Sequence, residues 1–248
     1  QYIKNSEYNT DLLLTYKNNF GKWGVSASAG GNIRANEYVL NDYRAIGLRV
    51  PGIYQLTNAI SLNTRIAQPN DKETNSVYGL ASFNYDNLWF VDFTARNDWS
   101  STLPKANRSY FYPSVATSLI LSDVLKMKSK SWNYWKLRAS WSQVGNDTQP
   151  YKLQQFYNTS DFVGSAENIA NFQNPNLKPE MNQNIEAGMD FSFFKNRLTY
   201  NVTVYQNSTK DQIVNVPSLI ETGYSTRTIN AGEVRNRGIE MTMNAFPV

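Results

Sequence analysis

Glu180, Glu186 and Asp190 set three carboxylates in a short span, and Asp92, Arg96, Arg138 and Glu240 stand in segments of similar pattern elsewhere in the chain. Paired carboxylates can act as general acid and base, but only in a shared pocket that splits their proton affinities. The spacing here supplies no such pocket. Cys and His are both absent, which removes thiol nucleophiles, imidazole bases and the usual zinc or haem ligands. Gly21-Lys22 and Gly30-Gly31 are not followed by the strand, loop and Gly-Lys-Ser/Thr helix of a phosphate loop. No enzyme activity, cofactor or metal is expected. The remaining chemistry is reversible binding by polar groups on a wall.

The elements that carry these groups are period-two strands. Ile185, Ala187, Met189, Phe191 and Phe193 share one face, and Glu186, Gly188, Asp190 and Ser192 the other. Beyond the polar turn Lys195-Asn196-Arg197, Leu198, Tyr200, Val202 and Val204 oppose Thr199, Asn201 and Thr203. Likewise Trp89, Val91 and Phe93 oppose Asp92, Thr94 and Arg96, and Trp135, Leu137, Ala139 and Trp141 oppose Lys136, Arg138, Ser140 and Ser142. Alternation of this kind serves a soluble sandwich or a membrane barrel; strands of roughly 9 to 11 residues suit the barrel. On that reading Asp92, Arg96, Arg138, Glu186, Asp190 and Glu240 face a wet lumen. Trp89, Val91, Phe93, Ile185, Met189, Phe191, Leu198 and Val202 then face lipid. A register slip of one residue would exchange the two sets.

Mean hydropathy is −0.53 over 248 residues, and the longest apolar run is Leu88 to Val91, so no helix of about 20 apolar residues spans a membrane. The net charge of +4 comes without a Lys/Arg run, and nucleic acid is not an expected partner. Tyr85, Trp89, Tyr110, Tyr112, Trp132, Tyr134, Trp135, Trp141 and Tyr205 fall near strand ends, as in an interfacial girdle or as strand formers packed in a core. Asn-rich loops could meet sugars beside Trp and Tyr, or could simply tolerate left-handed turns.

Strands are expected at 11–17, 22–32, 74–85, 88–96, 112–121, 133–144, 185–193, 198–205 and 236–245, with a helical turn at 124–128 capped by Ser122-Asp123. Residues 33–73 are expected to be irregular apart from a local strand at 60–67. The junctions at 18–21, 86–87 and 195–197 are short, and long loops alternate with them, a habit of outer-membrane barrels.

Asn174-Pro175-Asn176-Leu177-Lys178-Pro179-Glu180, then Asn184-Ile185-Glu186-Ala187-Gly188-Met189-Asp190 and Asn196-Arg197-Leu198, resemble the barrel signature of SusC/RagA-type TonB-dependent transporters. Ala95-Arg96-Asn97-Asp98-Trp99-Ser100-Ser101, Tyr112-Pro113-Ser114, Trp135-Lys136-Leu137-Arg138-Ala139-Ser140-Trp141 and Asn236-Arg237-Gly238-Ile239-Glu240 resemble further motifs of that family, in the same order. Where the family commonly has Asp-Gly before the Ser pair, this chain has Asp98-Trp99.

The resemblance implies an all-β fold: an antiparallel transmembrane β-barrel segment, about nine strands of a 22-stranded barrel, with long extracellular loops and short periplasmic turns. It implies residues 1–248 as barrel, with the plug and N-terminal extension lying outside them. It further implies import of oligosaccharides or peptides across the outer membrane of a Gram-negative bacterium, with a SusD-like surface lipoprotein over the loops and TonB acting through regions outside this stretch. A soluble carbohydrate-binding or adhesion module is the alternative from another class, and a siderophore receptor or substrate-sensing transducer the alternative within membranes.

Overall fold

The computed structural model describes residues 2–66, 70–127, 131–159, 166–168 and 170–246. The main strands are β1 (Tyr2–Phe20), β2 (Trp23–Leu48), β3 (Ala59–Ile66), β4 (Lys72–Tyr85), β5 (Trp89–Ser100), β6 (Ser109–Ile120) and β7 (Trp132–Asn146). Short strands β8 (Tyr157–Thr159), β9 (Ala166–Asn168) and β10 (Asn171–Phe172) follow, then β11 (Glu180–Phe193), β12 (Leu198–Lys210), β13 (Ile213–Pro217), β14 (Thr226–Asn230) and β15 (Glu233–Ala245). One antiparallel sheet runs β1-β2-β4-β5-β6-β7-β11-β12-β15, with β3 added to the far end of β2. The nine strands on that path match the expected number.

Directly paired residues of an antiparallel sheet lie on one face, so the register traces both faces across the whole sheet. One row reads Lys17, Ser26, Ser82, Asp92, Ala116, Ser140, Glu186, Tyr205, Gly238. The neighbouring row, one residue along, reads Tyr16, Ala27, Ala81, Phe93, Val115, Trp141, Ile185, Gln206, Arg237. Nothing among the described residues covers the second face. Even on interior strands Phe93, Ile185, Trp89 and Met189 stay 47, 46, 44 and 42% exposed. In water such a surface would be a large unburied apolar patch; hydrocarbon removes the penalty.

The hairpins close where the sequence allows left-handed backbone. Gly21 at φ 61° turns β1 into β2, and Asp86 and Asn87 at φ 54° and 56° turn β4 into β5; Gly, Asn and Asp pay least for that region. Lys22 and Asp86 join these two turns by a 2.5 Å ion pair, and that hydrogen bond raises the Lys22 ammonium above its ordinary value. The third turn, 194–197, takes three consecutive left-handed residues, Phe194, Lys195 and Asn196.

Several expected bounds are corrected. Asn18, Asn19 and Phe20 belong to β1, and the first turn is Gly21-Lys22. The stretch read as irregular after residue 33 continues β2 to Leu48, where β3 pairs with it; its polar residues, Asn36 and Glu37 or Asn41 and Asp42 among them, fall on both faces of the strand. Position 67 of the expected local strand lies outside the described residues. The helical turn is Leu121–Val124, one turn earlier than expected, with Ile120 at its N-cap and no side-chain cap; residue 128 lies outside the described residues. The loops at 145–182 and 208–234 hold short strands, and β10, β14 and β13 join them in a three-stranded sheet.

A small core sits at the long-loop end. Leu177, fully buried, packs with Leu103 and Tyr110, flanked by Tyr112, Leu153 and Ile213. Asn107 Nδ2 donates to the Leu177 carbonyl at 3.0 Å, and Asn230 receives the Lys178 amide at 2.9 Å while donating to the Lys178 carbonyl at 2.8 Å. The Asn174–Glu180 segment thereby ties three loops together.

Candidate functional site

The six charged residues singled out in the sequence share the polar face. Asp92 and Glu186 stand in the row given above. Arg138 pairs with Gly188, Gly188 with Thr203 and Thr203 with Glu240; Asp190 pairs with Lys136, and Arg96 with Tyr78 and Tyr112. The eight apolar candidates, Trp89, Val91, Phe93, Ile185, Met189, Phe191, Leu198 and Val202, share the opposite face by the same register.

Arg138 is the centre of the polar tract. Its Nη2 donates to Asn201 Oδ1 at 2.9 Å and Thr203 Oγ1 at 2.6 Å, and its Nε faces Asp190 Oδ2 at 3.7 Å. Asn201 in turn donates to Asp190 Oδ1 at 2.5 Å. This side chain lies flat because its paired neighbour is glycine: a Cβ on Gly188 would stand 2.7 Å from Arg138 Nε. Asp92, Arg138, Glu186 and Thr203 line one hollow, and Arg138, Glu186, Asn201, Tyr205 and Glu240 line the next. Glu186 accepts from Asn184 at 2.6 Å. Asp92 and Glu240 take part in no ion pair among the described residues.

Asp92 forms no ion pair with Arg96, nor Arg138 with Glu240, among the described residues. Four residues along a strand is about 13 Å, too far for the first, and Arg138 turns to Asp190 instead. Arg96 lies apart from the central hollows: its Nε donates to Asp98 Oδ1 at 2.7 Å and its Nη2 to Ser76 at 2.9 Å. Tyr112 donates its hydroxyl to Asp98 Oδ2 at 2.6 Å, so the nearly buried Asp98 has a partner on each oxygen.

A second polar knot went unread in the sequence. Asp147 accepts from Lys72 and from Ser100, and Ser100 meets Thr102 at 2.9 Å. It fixes the start of the β7–β11 connection to the rim of β4 and β5. Ser100 stands in a quoted motif; Asp147 carries no local signal, because its partners are remote in sequence.

The aromatic reading divides. Trp23 and Tyr85 pack at 4.8 Å, Trp132 and Phe193 at 4.8 Å, and Trp135 and Phe191 at 5.6 Å, a belt on the apolar face beside the short turns. Tyr110, Tyr112, Tyr134 and Tyr205 belong instead to the polar face, where their hydroxyl-bearing rings meet polar neighbours or, for Tyr110, the loop-end core.

A wide antiparallel sheet with one bare apolar face, one hydrogen-bonded polar face, and turns alternating short and long defines the wall of a transmembrane β-barrel. The chain belongs to the TonB dependent receptor-like, beta-barrel family, which it matches over residues 1–246. It is similar to TonB-dependent receptor P3 of Formosa agariphila, 28% identical over 99% of this chain and 25% of that protein. It also resembles TonB-dependent receptor SusC of Bacteroides thetaiotaomicron, 28% identical over 70% of this chain and 18% of that protein. The chain thus spans about a quarter or less of these relatives' length. Among solved structures, the RagAB peptide transporter superposes with a TM-score of 0.88 at 21% identity, over 97% of this chain and 28% of that one. The siderophore receptor PirA from Acinetobacter baumannii gives 0.63 at 15% identity, over 97% and 34%.

Proposed function

We propose that this chain forms part of the barrel wall of a SusC-like importer in the outer membrane of a Gram-negative bacterium, its apolar face against lipid and its polar face lining the passage. The observation that carries this reading is the pairing register, which puts Asp92, Arg96, Arg138, Glu186, Asp190 and Glu240 on one face and the eight apolar candidates on the other.

The transported solute is an oligosaccharide or a peptide. A wall of carboxylates, amides, hydroxyls and the held guanidinium groups of Arg96 and Arg138 offers donors and acceptors to either. The name of the RagAB relative supports the peptide, and the kinship to SusC supports placing a SusD-like lipoprotein over the long loops and TonB as the source of energy. The higher TM-score to the RagAB transporter than to PirA favours this over a siderophore receptor.

The test is uptake of labelled oligosaccharide and peptide mixtures by cells carrying the whole protein. Arg138→Gln with Glu186→Gln should lower TonB-dependent uptake several-fold at unchanged outer-membrane abundance. Unchanged uptake of every solute that the parent imports would sink the assignment of this tract to the passage.

A further inference from the structure

The apolar face does not stay apolar along its whole height. On β15 it runs Ala245, Met243, Met241, Ile239 and then turns to Arg237 and Arg235; on β12 it runs Leu198, Tyr200, Val202, Val204 and then Gln206, Ser208 and Lys210. Arg235, Arg237 and Lys210 are all exposed, and one acidic residue, Glu233, lies among them on the same face.

Their height can be read from the strand itself. Ala245 pairs with Leu198 beside the short turn, and Arg237 and Arg235 stand eight and ten residues above it. On β5 the same face is bracketed by Trp89 and Trp99, also ten residues apart. The cations therefore sit at the long-loop margin of the apolar band. An arginine facing hydrocarbon at mid-depth is costly, while near the interface the cost falls to about 0–1 kcal/mol and the headgroups supply a counter-charge.

Both guanidinium groups are held in place. Arg237 Nε donates to Gln206 Oε1 at 2.7 Å, leaving its two terminal amino groups for a ligand. Arg235 gives Nη2 to Glu233 at 2.8 Å, and Ser208 donates to the same carboxylate oxygen at 2.5 Å, so Glu233 orients Arg235 and offsets one charge of three. Lys210 pairs directly with Glu233 across the ladder. A planar guanidinium with free terminal nitrogens matches the oxygens of a phosphate.

We propose that Arg235, Arg237 and Lys210 form a binding site for the phosphate of an anionic lipid headgroup in the leaflet on the long-loop side. The site rests on the membrane orientation given under the proposed function. It fixes a phosphate-bearing lipid against the β12–β15 pair, at a place the transport path does not touch.

The probe is a phosphorylated acyl-glucosamine lipid compared with its dephosphorylated form, added to the detergent-purified whole protein and read by native mass spectrometry. The parent should retain the phosphorylated lipid preferentially, and Lys210→Gln/Arg235→Gln/Arg237→Gln should lose that preference by roughly fivefold for each cation neutralised. Heat-modifiable migration on gels verifies that the variant is a folded barrel; a single Arg237→Gln serves if the triple is not. Equal retention by parent and variant, or no preference for phosphate in the parent, overturns the site. Ile239→Cys in intact outer-membrane vesicles separates the two readings. If it reacts with a water-soluble maleimide, the orientation itself is wrong; if it is protected and the lipid preference is missing, only the site fails.

Discussion

Trp89 and Trp99 stand on the same face of one strand, ten residues apart, with Val91, Phe93, Ala95 and Asn97 between them on that face. At about 3.3 Å per residue the pair is ~33 Å apart along the strand. A strand tilted by ~40° reduces this to ~25 Å of height, the thickness of the apolar band on outer-membrane barrels. The register gives a comparable slant: the row from Trp89 passes through Leu119, Leu137 and Met189, and the β11–β12 turn closes four residues beyond Met189. That is ~13 Å down for three strand steps, or ~14 Å, across. The first two hairpins, by contrast, close in a single row, so the short-turn rim steps down between β5 and β11.

A charge placed along this ruler should cost according to depth. Phe93→Arg, near the middle, is expected to lower barrel stability by about 2–4 kcal/mol, and Trp99→Arg, at the margin, by about 0–1 kcal/mol beyond the loss of the ring. Guanidinium titration of the whole protein in liposomes measures both; equal costs would remove the depth assignment.

Asp98 accepts from both Arg96 and Tyr112 and is only 6% exposed. Asp98→Ala leaves a partly buried guanidinium and a phenol without their acceptor, and should destabilise by about 2 kcal/mol. Tyr112→Phe, which removes one donor and keeps the ring, should cost about half as much. A cost for Asp98→Ala no larger than for Tyr112→Phe would contradict the account.

Gly145 and Gly79 make a matched pair. A Cβ on Gly145 would stand 2.3 Å from the Tyr110 ring, whereas on Gly79 the nearest atom is 3.7 Å away. Tyr110 belongs to the buried loop-end core and cannot swing aside, so Gly145→Ala should cost about 1–3 kcal/mol and Gly79→Ala close to nothing. Thermal unfolding followed by heat-modifiable migration distinguishes them.

Leu177 is fully buried in the core that ties the loops. Leu177→Ala should cost about 2–5 kcal/mol locally and speed protease cleavage in the 147–179 and 211–232 connections without altering the sheet. Unchanged cleavage in both connections would deny the segment its tying role.

How much of this was legible in sequence depends on the range of the interaction. Ile185 against Glu186, or Phe93 against Asp92, is a period-two contrast within a few residues, and it separates the same two sets of residues that the pairing register places on opposite faces of the sheet. The end of β2 was not legible: beyond Ile33 polar and apolar residues are mixed on both faces, and what makes it a strand is β1 on one side and β3 on the other. The Asp147 knot and the Asn230–Lys178 bonds join residues far apart in the chain, and no local spacing announces them. Arg138 was read as a wall residue, but its choice of Asp190 over Glu240 depends on Gly188 clearing the surface beside it, a fact of pairing register. Four of the nine tyrosines and tryptophans placed at strand ends belong to the polar face, because closeness to an end fixes height and only parity fixes direction.

The central claim is that adjacent residues of one strand meet different solvents. Ile185 and Glu186 test it most directly, since this stretch contributes no cysteine of its own. Ile185→Cys and Glu186→Cys, made separately in the whole protein and exposed to a water-soluble maleimide in outer-membrane vesicles, should differ sharply: Glu186→Cys reacts, and Ile185→Cys is protected until the membrane is dissolved. Equal reactivity in intact vesicles, or the reverse order, would contradict the account.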